Sequence, residues 1–177
     1  RGDKSSPPDL RLMATVADRK KADKLAADGN RKEAYDIYSQ LVLDPQNDSA
    51  EGGADLSKAI SALQQLNREN EADALREKTV AVHQEHWRIL FAAAQTMSQT
   101  QPHGFIIAGG FQRGEHRGGG RAVNCVERDR VRALQLMTQA MAKTKGEKDG
   151  AALANFYERF ADMLLGNRGY SEAWRLQ

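Results

Sequence analysis

The chain has 177 residues, enough for one domain with a real core. Lys and Arg number 26 against 24 Asp and Glu, a net charge of +2 that lacks the concentrated basic excess of a dedicated nucleic-acid binder. Cys125 stands alone, which excludes an intrachain disulfide framework, and no apolar run approaches the roughly 20 residues of a membrane span.

Aromatics make up 6% and apolar residues 40%, with many Ala, Leu and Gln, which suits a helical protein better than a β-sandwich. Residues 1–10 hold Ser5, Ser6, Pro7 and Pro8 without periodicity and read as a disordered leader; residues 11–177 read as a single domain. From Leu12 to Asp28 the pattern is helical, with Met13, Val16, Ala17 and Leu25 as its apolar positions, and Gly29 ends it. Arg19, Lys20 and Lys21 form a short basic run, read as a solvated helix surface rather than a binding patch. The next helix runs from about Lys32 to Leu43 and stops at Asp44-Pro45, because Pro disfavours helix in the residue before it. Ala22, Leu25, Gly29, Ala34, Tyr38, Leu41 and Pro45 together resemble a tetratricopeptide repeat, with a second helix one residue short of the usual pattern.

A second helical pair carries Leu56, Ile60, Leu63 and Leu66 before its junction. After the junction a long helical pattern spans about Asn70 to Ser98, either one bent helix or two with a break near His86, and Pro102 closes it. Residues 103–123 differ in kind. His103 to Phe111 is short, apolar and β-prone, Gln112 to Gly120 is rich in Gly and Arg, and Arg121-Ala122-Val123 can pair back on the first segment. A small β-hairpin or a long ordered loop inserted between helical pairs is expected. Asn124 with Glu127 forms a capping-box pattern that opens a helix to about Lys143, with Val126, Leu134, Met137 and Met141 on one face. Lys145 to Asp149 is a turn, and Asp149 can cap a last helix striped by Leu153, Phe156, Tyr157, Phe160, Met163 and Leu164.

A Gly or Asn stop followed by a Glu-Ala helix start recurs at Gly29–Ala34, Leu66–Ala72 and Gly166–Ala173. The Asn-to-Ala spacings are four, five and six residues, so the repeat is irregular. The fold class expected is all-α: a tetratricopeptide-like right-handed array of about three antiparallel helical hairpins, customised around the Gly/Arg-rich insertion.

Chemistry-bearing patterns are sparse. Arg113, Arg117 and Arg121 beside flexible glycines suit an anion or a carboxylate, and with Phe111 and His116 they form the candidate binding surface. The structural reading of this tract is preferred, a protein-contact surface comes second, and nucleic acid or phosphate last, because no Walker or dinucleotide glycine pattern is present. His83 and His86 lie three apart on the predicted helix, but a metal needs more ligands, so packing or surface histidines are preferred. Trp87 and Phe91 read as core. Cys125 lies near a predicted helix start, where a thiol pKa can fall, yet no base can be paired with it from sequence, and a buried, inert thiol is preferred. No catalytic, metal or cofactor constellation is expected, and the partner expected is protein: other domains of the same chain or an unknown protein. A ligand module gripping an anion or RNA through the insertion is the alternative.

Two stretches resemble a known family: His103-Gly104-Phe105-Ile106 through Arg117-Gly118-Gly119-Gly120-Arg121 with Glu127–Met137, and Leu164–Gln177. They are similar to the N-terminal helical region of bacterial alpha-2-macroglobulin-family proteins. The resemblance implies an accessory helical region of a longer, exported chain, in the periplasm or cell envelope, whose parent acts in protease trapping or envelope defence. The family's thioester chemistry does not carry over, because Asn124-Cys125-Val126-Glu127-Arg128 has Arg where a Gln is required.

Overall fold

The structure, a computed structural model, describes residues 10–47 and 49–166, with side chains from 15–47 and 50–166. The leader and the helix start beyond Gly166 lie outside the described residues. Among those described, the chain forms seven α-helices and one small antiparallel sheet. The helices are α1 (Leu10–Ala27), α2 (Arg31–Leu43), α3 (Ser49–Gln65), α4 (Ala72–Val82), α5 (Trp87–Ser98), α6 (Val126–Ala142) and α7 (Gly150–Leu165). The strands β1 (His103–Ile107), β2 (Gly110–Arg113) and β3 (Arg121–Asn124) fall between α5 and α6.

The first two junctions turn where a left-handed residue is available: Gly29 at φ 84° and Asn67 at φ 56°. At the first, α1 and α2 pack together, with Ala22 and Ala34 fully buried and the Tyr38 hydroxyl donating to Asp23 at 2.6 Å. α3 then packs against both α2 and α5. Two glycines make its contact with α5 close: a methyl at Gly53 would lie 2.9 Å from Ala92 Cβ, and one at Gly52 2.8 Å from Ile89 Cδ1. α5 is the central helix. Trp87, Ile89, Leu90, Phe91, Ala93, Ala94 and Met97 are all buried, as expected of a helix apolar on nearly every side.

The long pattern from Asn70 to Ser98 resolves into α4 and α5, split at His83–His86, where His86 is extended (φ −104°, ψ 93°). Three further expectations need correction. Arg19 is not a solvated surface residue: it is buried, and its Nε donates to Asp55 Oδ2 at 2.9 Å while its Nη2 donates to Asn47. Asn124 does not complete a capping box; its Oδ1 accepts from the Val126 amide at 2.8 Å, and Cys125 takes the N-cap position without a side-chain cap bond. The buried stripe of α6 is Ala133, Leu136, Met137 and Ala140, whereas Val126 and Met141 face outward. Packing on α5 takes a stripe one position off the expected one, with Ala133 and Ala140 beside Leu136 and Met137. Asp149 does cap α7, accepting from the Ala152 amide at 3.0 Å. Of the expected α7 stripe, Phe156 is fully buried, while Tyr157 and Leu164 are exposed.

The sheet has the order β2-β1-β3. Ile107 pairs with Gly110 across Ala108 and Gly109, both at positive φ (48° and 82°), the signature of a two-residue type I′ turn. β3 pairs back on β1 from the other side, with His103 opposite Asn124. The connection from β2 to β3 must therefore cross β1, and this is what the glycines are for. Gly114, Gly118 and Gly120 all take positive φ, and a methyl on Gly120 would crowd the Ile106 carbonyl oxygen at 3.3 Å.

Candidate functional site

The strand register splits the predicted binding surface. Gly104, Ile106, Phe111 and Arg113 share one face of the sheet; His103 and Phe105 share the other. The crossing loop lies over the second face, with His116 against the Phe105 ring at 5.8 Å and Glu115 against His103 at 3.0 Å. Arg117 and Arg121 are exposed. Arg113 is not: it is 2% exposed and points into the molecule. Phe111 lies under two guanidinium groups, Arg128 at 4.0 Å and Arg113 at 5.7 Å from its ring centre. The five residues do not form one surface.

Arg113 instead centres a buried polar cluster that joins the sheet to three helices. Its Nη2 donates to Asp129 Oδ1 on α6 at 2.8 Å, its Nε to Asp73 Oδ1 on α4 at 3.1 Å, and its Nη1 to the Gln101 carbonyl after α5 at 2.6 Å. Arg128 reaches the same two carboxylates at 2.6 and 2.8 Å. Arg76 is fully buried; it donates to Asp73 at 2.6 Å and to Thr96 and Thr100 on and after α5. Burial pushes Arg76 down to about 10, still charged at neutral pH. Burial alone would raise the Asp129 carboxyl, but hydrogen bonds from Arg113 and Arg128 outweigh it and hold the group below its ordinary value. The same carboxylates hold Arg113 above its ordinary value against the opposing effect of burial.

Cys125 belongs to this cluster. It is 2% exposed, and its thiol donates to Asp129 Oδ2 at 3.4 Å. Burial pushes its pKa up, in spite of the Arg113 guanidinium 3.3 Å away. That is the opposite of an activated nucleophile. Among the described residues no three His, Cys, Asp or Glu side chains gather as a metal site requires, and no described helix is long and apolar enough to cross a membrane. His83 is fully buried and His86 half-buried, their rings edge to face at 5.7 Å.

Two grooves open along α3. One, of about 410 Å³, lies between α1, α2 and α3 and is lined by Asp23, Arg31, Tyr38, Lys58, Ser61 and Gln65. The other, of about 310 Å³, lies between α3, α5 and α7 and is lined by Gly53, Ala54, Arg88, Ala92, Gln95 and Asn155. Ser57 lines both. Their charges are largely matched internally: Lys58 pairs with Asp23 at 2.6 Å and Arg88 with Glu147 at 3.0 Å. Neither groove was anticipated from the sequence. The available signal was the run of small residues in α3, from Ala50 through Gly52, Gly53, Ala54 and Ser57 to Ser61.

Comparison with protein-family models, with curated proteins and with solved structures gives no match in any of the three.

Proposed function

We propose that the chain is a non-catalytic protein-interaction or scaffold module, built as a tetratricopeptide-like array of helical hairpins. The observation that carries this reading is the pair of grooves meeting at Ser57. They offer small residues that let a backbone approach and uncharged amide and hydroxyl groups that can bond it, with Lys58 and Arg88 already paired to carboxylates. The short first junction, the burial of Ala22 and Ala34 where α1 and α2 pack, and the position of α3 between α2 and α5 support a hairpin array. The tract 103–137, which resembles the N-terminal helical region of bacterial alpha-2-macroglobulin-family proteins, supports an accessory role in an exported envelope protein of that kind. Its polar chemistry is inward: Arg113, Asp129 and Cys125 satisfy one another, which suits a brace between sheet and helices better than a reactive centre.

Display of a random peptide library on the 177-residue chain tests the groove. Extended peptides are expected to be retained, and Ser57→Trp, which fills the meeting point of the two grooves, is expected to weaken them at least tenfold with the thermal midpoint unchanged. Peptides indifferent to Ser57→Trp but lost on Arg117→Ala with Arg121→Ala would sink this reading.

A further inference from the structure

We propose that His83 is a proton-sensitive release at the contact between α2 and α4: protonating its ring frees the C-terminal end of α2 from the turn that joins α4 to α5. His83 C-caps α4 and is fully buried. Its Nε2 lies 2.9 Å from the Val42 carbonyl oxygen in the last turn of α2. A carbonyl only accepts, so Nε2 carries the hydrogen and Nδ1 holds the lone pair. Nδ1 is buried and has no partner among the described residues. A neutral ring is therefore satisfied at one nitrogen and tolerated at the other. A proton added at Nδ1 creates a buried donor without an acceptor and a buried charge at once, and both are costly.

Among the described residues, two titratable groups act on this ring. Asp44, just past the end of α2, favours its charged form, and His86, in the turn after α4, opposes it. Burial is the largest influence and sets the ring's pKa below the ordinary imidazole value of 6.5, although the bond to the Val42 carbonyl, which a proton at Nδ1 leaves in place, favours the charged ring. The sign follows. The unfolded or opened state takes up the proton first, so the contact keeps its full strength above about 6.5 and weakens as pH falls below it. α2 and α4 touch over only a short stretch, and the His83–Val42 bond lies at its edge. Releasing α2 would reshape the groove between α1, α2 and α3 on mild acidification.

The test reads opening directly and does not depend on peptide binding by the groove, so either idea can fail without the other. Imidazole nitrogen shifts of the 177-residue chain are followed against pH, together with backbone amide exchange at pH 7.5 and 5.0, corrected for intrinsic rates. His83 is expected to show the Nε2–H tautomer at neutral pH and to titrate below 6.5. Amides of residues 38–43 are expected to lose at least tenfold protection at pH 5.0, while those of residues 103–124 hold. His83→Gln, whose side-chain amide can keep the bond to Val42, is expected to abolish that loss. Titration of His83 at or above 6.5, a loss spread evenly over the chain, or the same loss in His83→Gln would overturn the proposal. If His83→Gln does not fold, the tautomer, the titration and the location of the loss decide it.

Discussion

Arg113 shows how one position in a glycine-arginine tract acquires a role its neighbours lack. Register places it opposite Gly104 on β1, on the sheet face turned toward α4 and α6, while Arg117 and Arg121 lie in the crossing loop and at the start of the outer strand. Its fork reaches two carboxylates and a backbone carbonyl at once, a geometry an ammonium cannot reproduce. Replacing it with Ala leaves Asp129 buried with one cation fewer and the Gln101 carbonyl without its guanidinium donor. Breaking a buried pair from one side costs about 3–5 kcal/mol. Denaturant unfolding of Arg113→Ala should therefore show a loss of that order, and Arg113→Lys should recover little of it. Arg117→Ala and Arg121→Ala should each stay within about 0.5 kcal/mol of the parent. An Arg113→Ala protein as stable as Arg117→Ala would show that the cluster contributes nothing to the fold.

Within the sheet, each element depends on a glycine for a different reason. Gly109 supplies a positive φ in open space, so Gly109→Ala should cost only about 1–2 kcal/mol, the strain of a left-handed alanine. Gly104 has ordinary backbone geometry but no room: a methyl there would run into the Gln112 carbonyl oxygen and lie 2.8 Å from the Phe111 ring. Gly104→Ala should cost about 1–3 kcal/mol by overpacking and, unlike Gly109→Ala, should also disturb Phe111 and the Arg128 stacked on it. Urea unfolding with amide shifts of residues 103–113 separates the two cases; equal, local effects would contradict the packing argument. These elements also mark what was legible in the sequence. Helix positions followed from period and from stops at Gly29, Asn67 and Pro102, and β3 pairing back on β1 followed from its β-prone residues. The crossing of β1 did not, because nothing local to Gly114–Gly120 records which strand is central. The ion cluster was illegible too, since Asp73 and Arg128 are 55 positions apart. The Arg19 and α6 misreadings differ in cause: a buried Arg carries no apolar signal, and on α6 the apolar Leu134 and Met141 drew the stripe one position away from Ala133, Leu136 and Ala140.

At the scale of the whole molecule, burial is uneven, and α5 is where it concentrates. α3 and α6 pack on α5 extensively; α4 is tied to the C-terminal end of α5 through Arg76 on Thr96 and Thr100, and the sheet through Arg113 on the Gln101 carbonyl. α7 is different. Phe156 is its one fully buried side chain, set edge-on against Trp87 at 5.6 Å and Phe91 at 5.3 Å, and Leu164 and Leu165 are about half exposed. Ala152, Leu153, Phe160 and Met163 pack against the core only partly buried, and a helix with a single fully buried anchor opens separately from the rest at lower cost than global unfolding. Phe156→Ala removes that anchor, a substitution that typically costs about 3–5 kcal/mol in a core. Here most of the loss should fall on the docking of α7 alone. Limited proteolysis at neutral pH should cut the variant within residues 150–166 at least tenfold faster than the parent, while fragments covering α1 to α6 accumulate at nearly the parental rate of further decay. Phe91→Ala, on the central helix, should instead expose every element together. If Phe156→Ala accelerates cleavage equally throughout α1 to α6, α7 is part of one cooperative unit, and the groove it shares with α3 and α5 cannot open on its own.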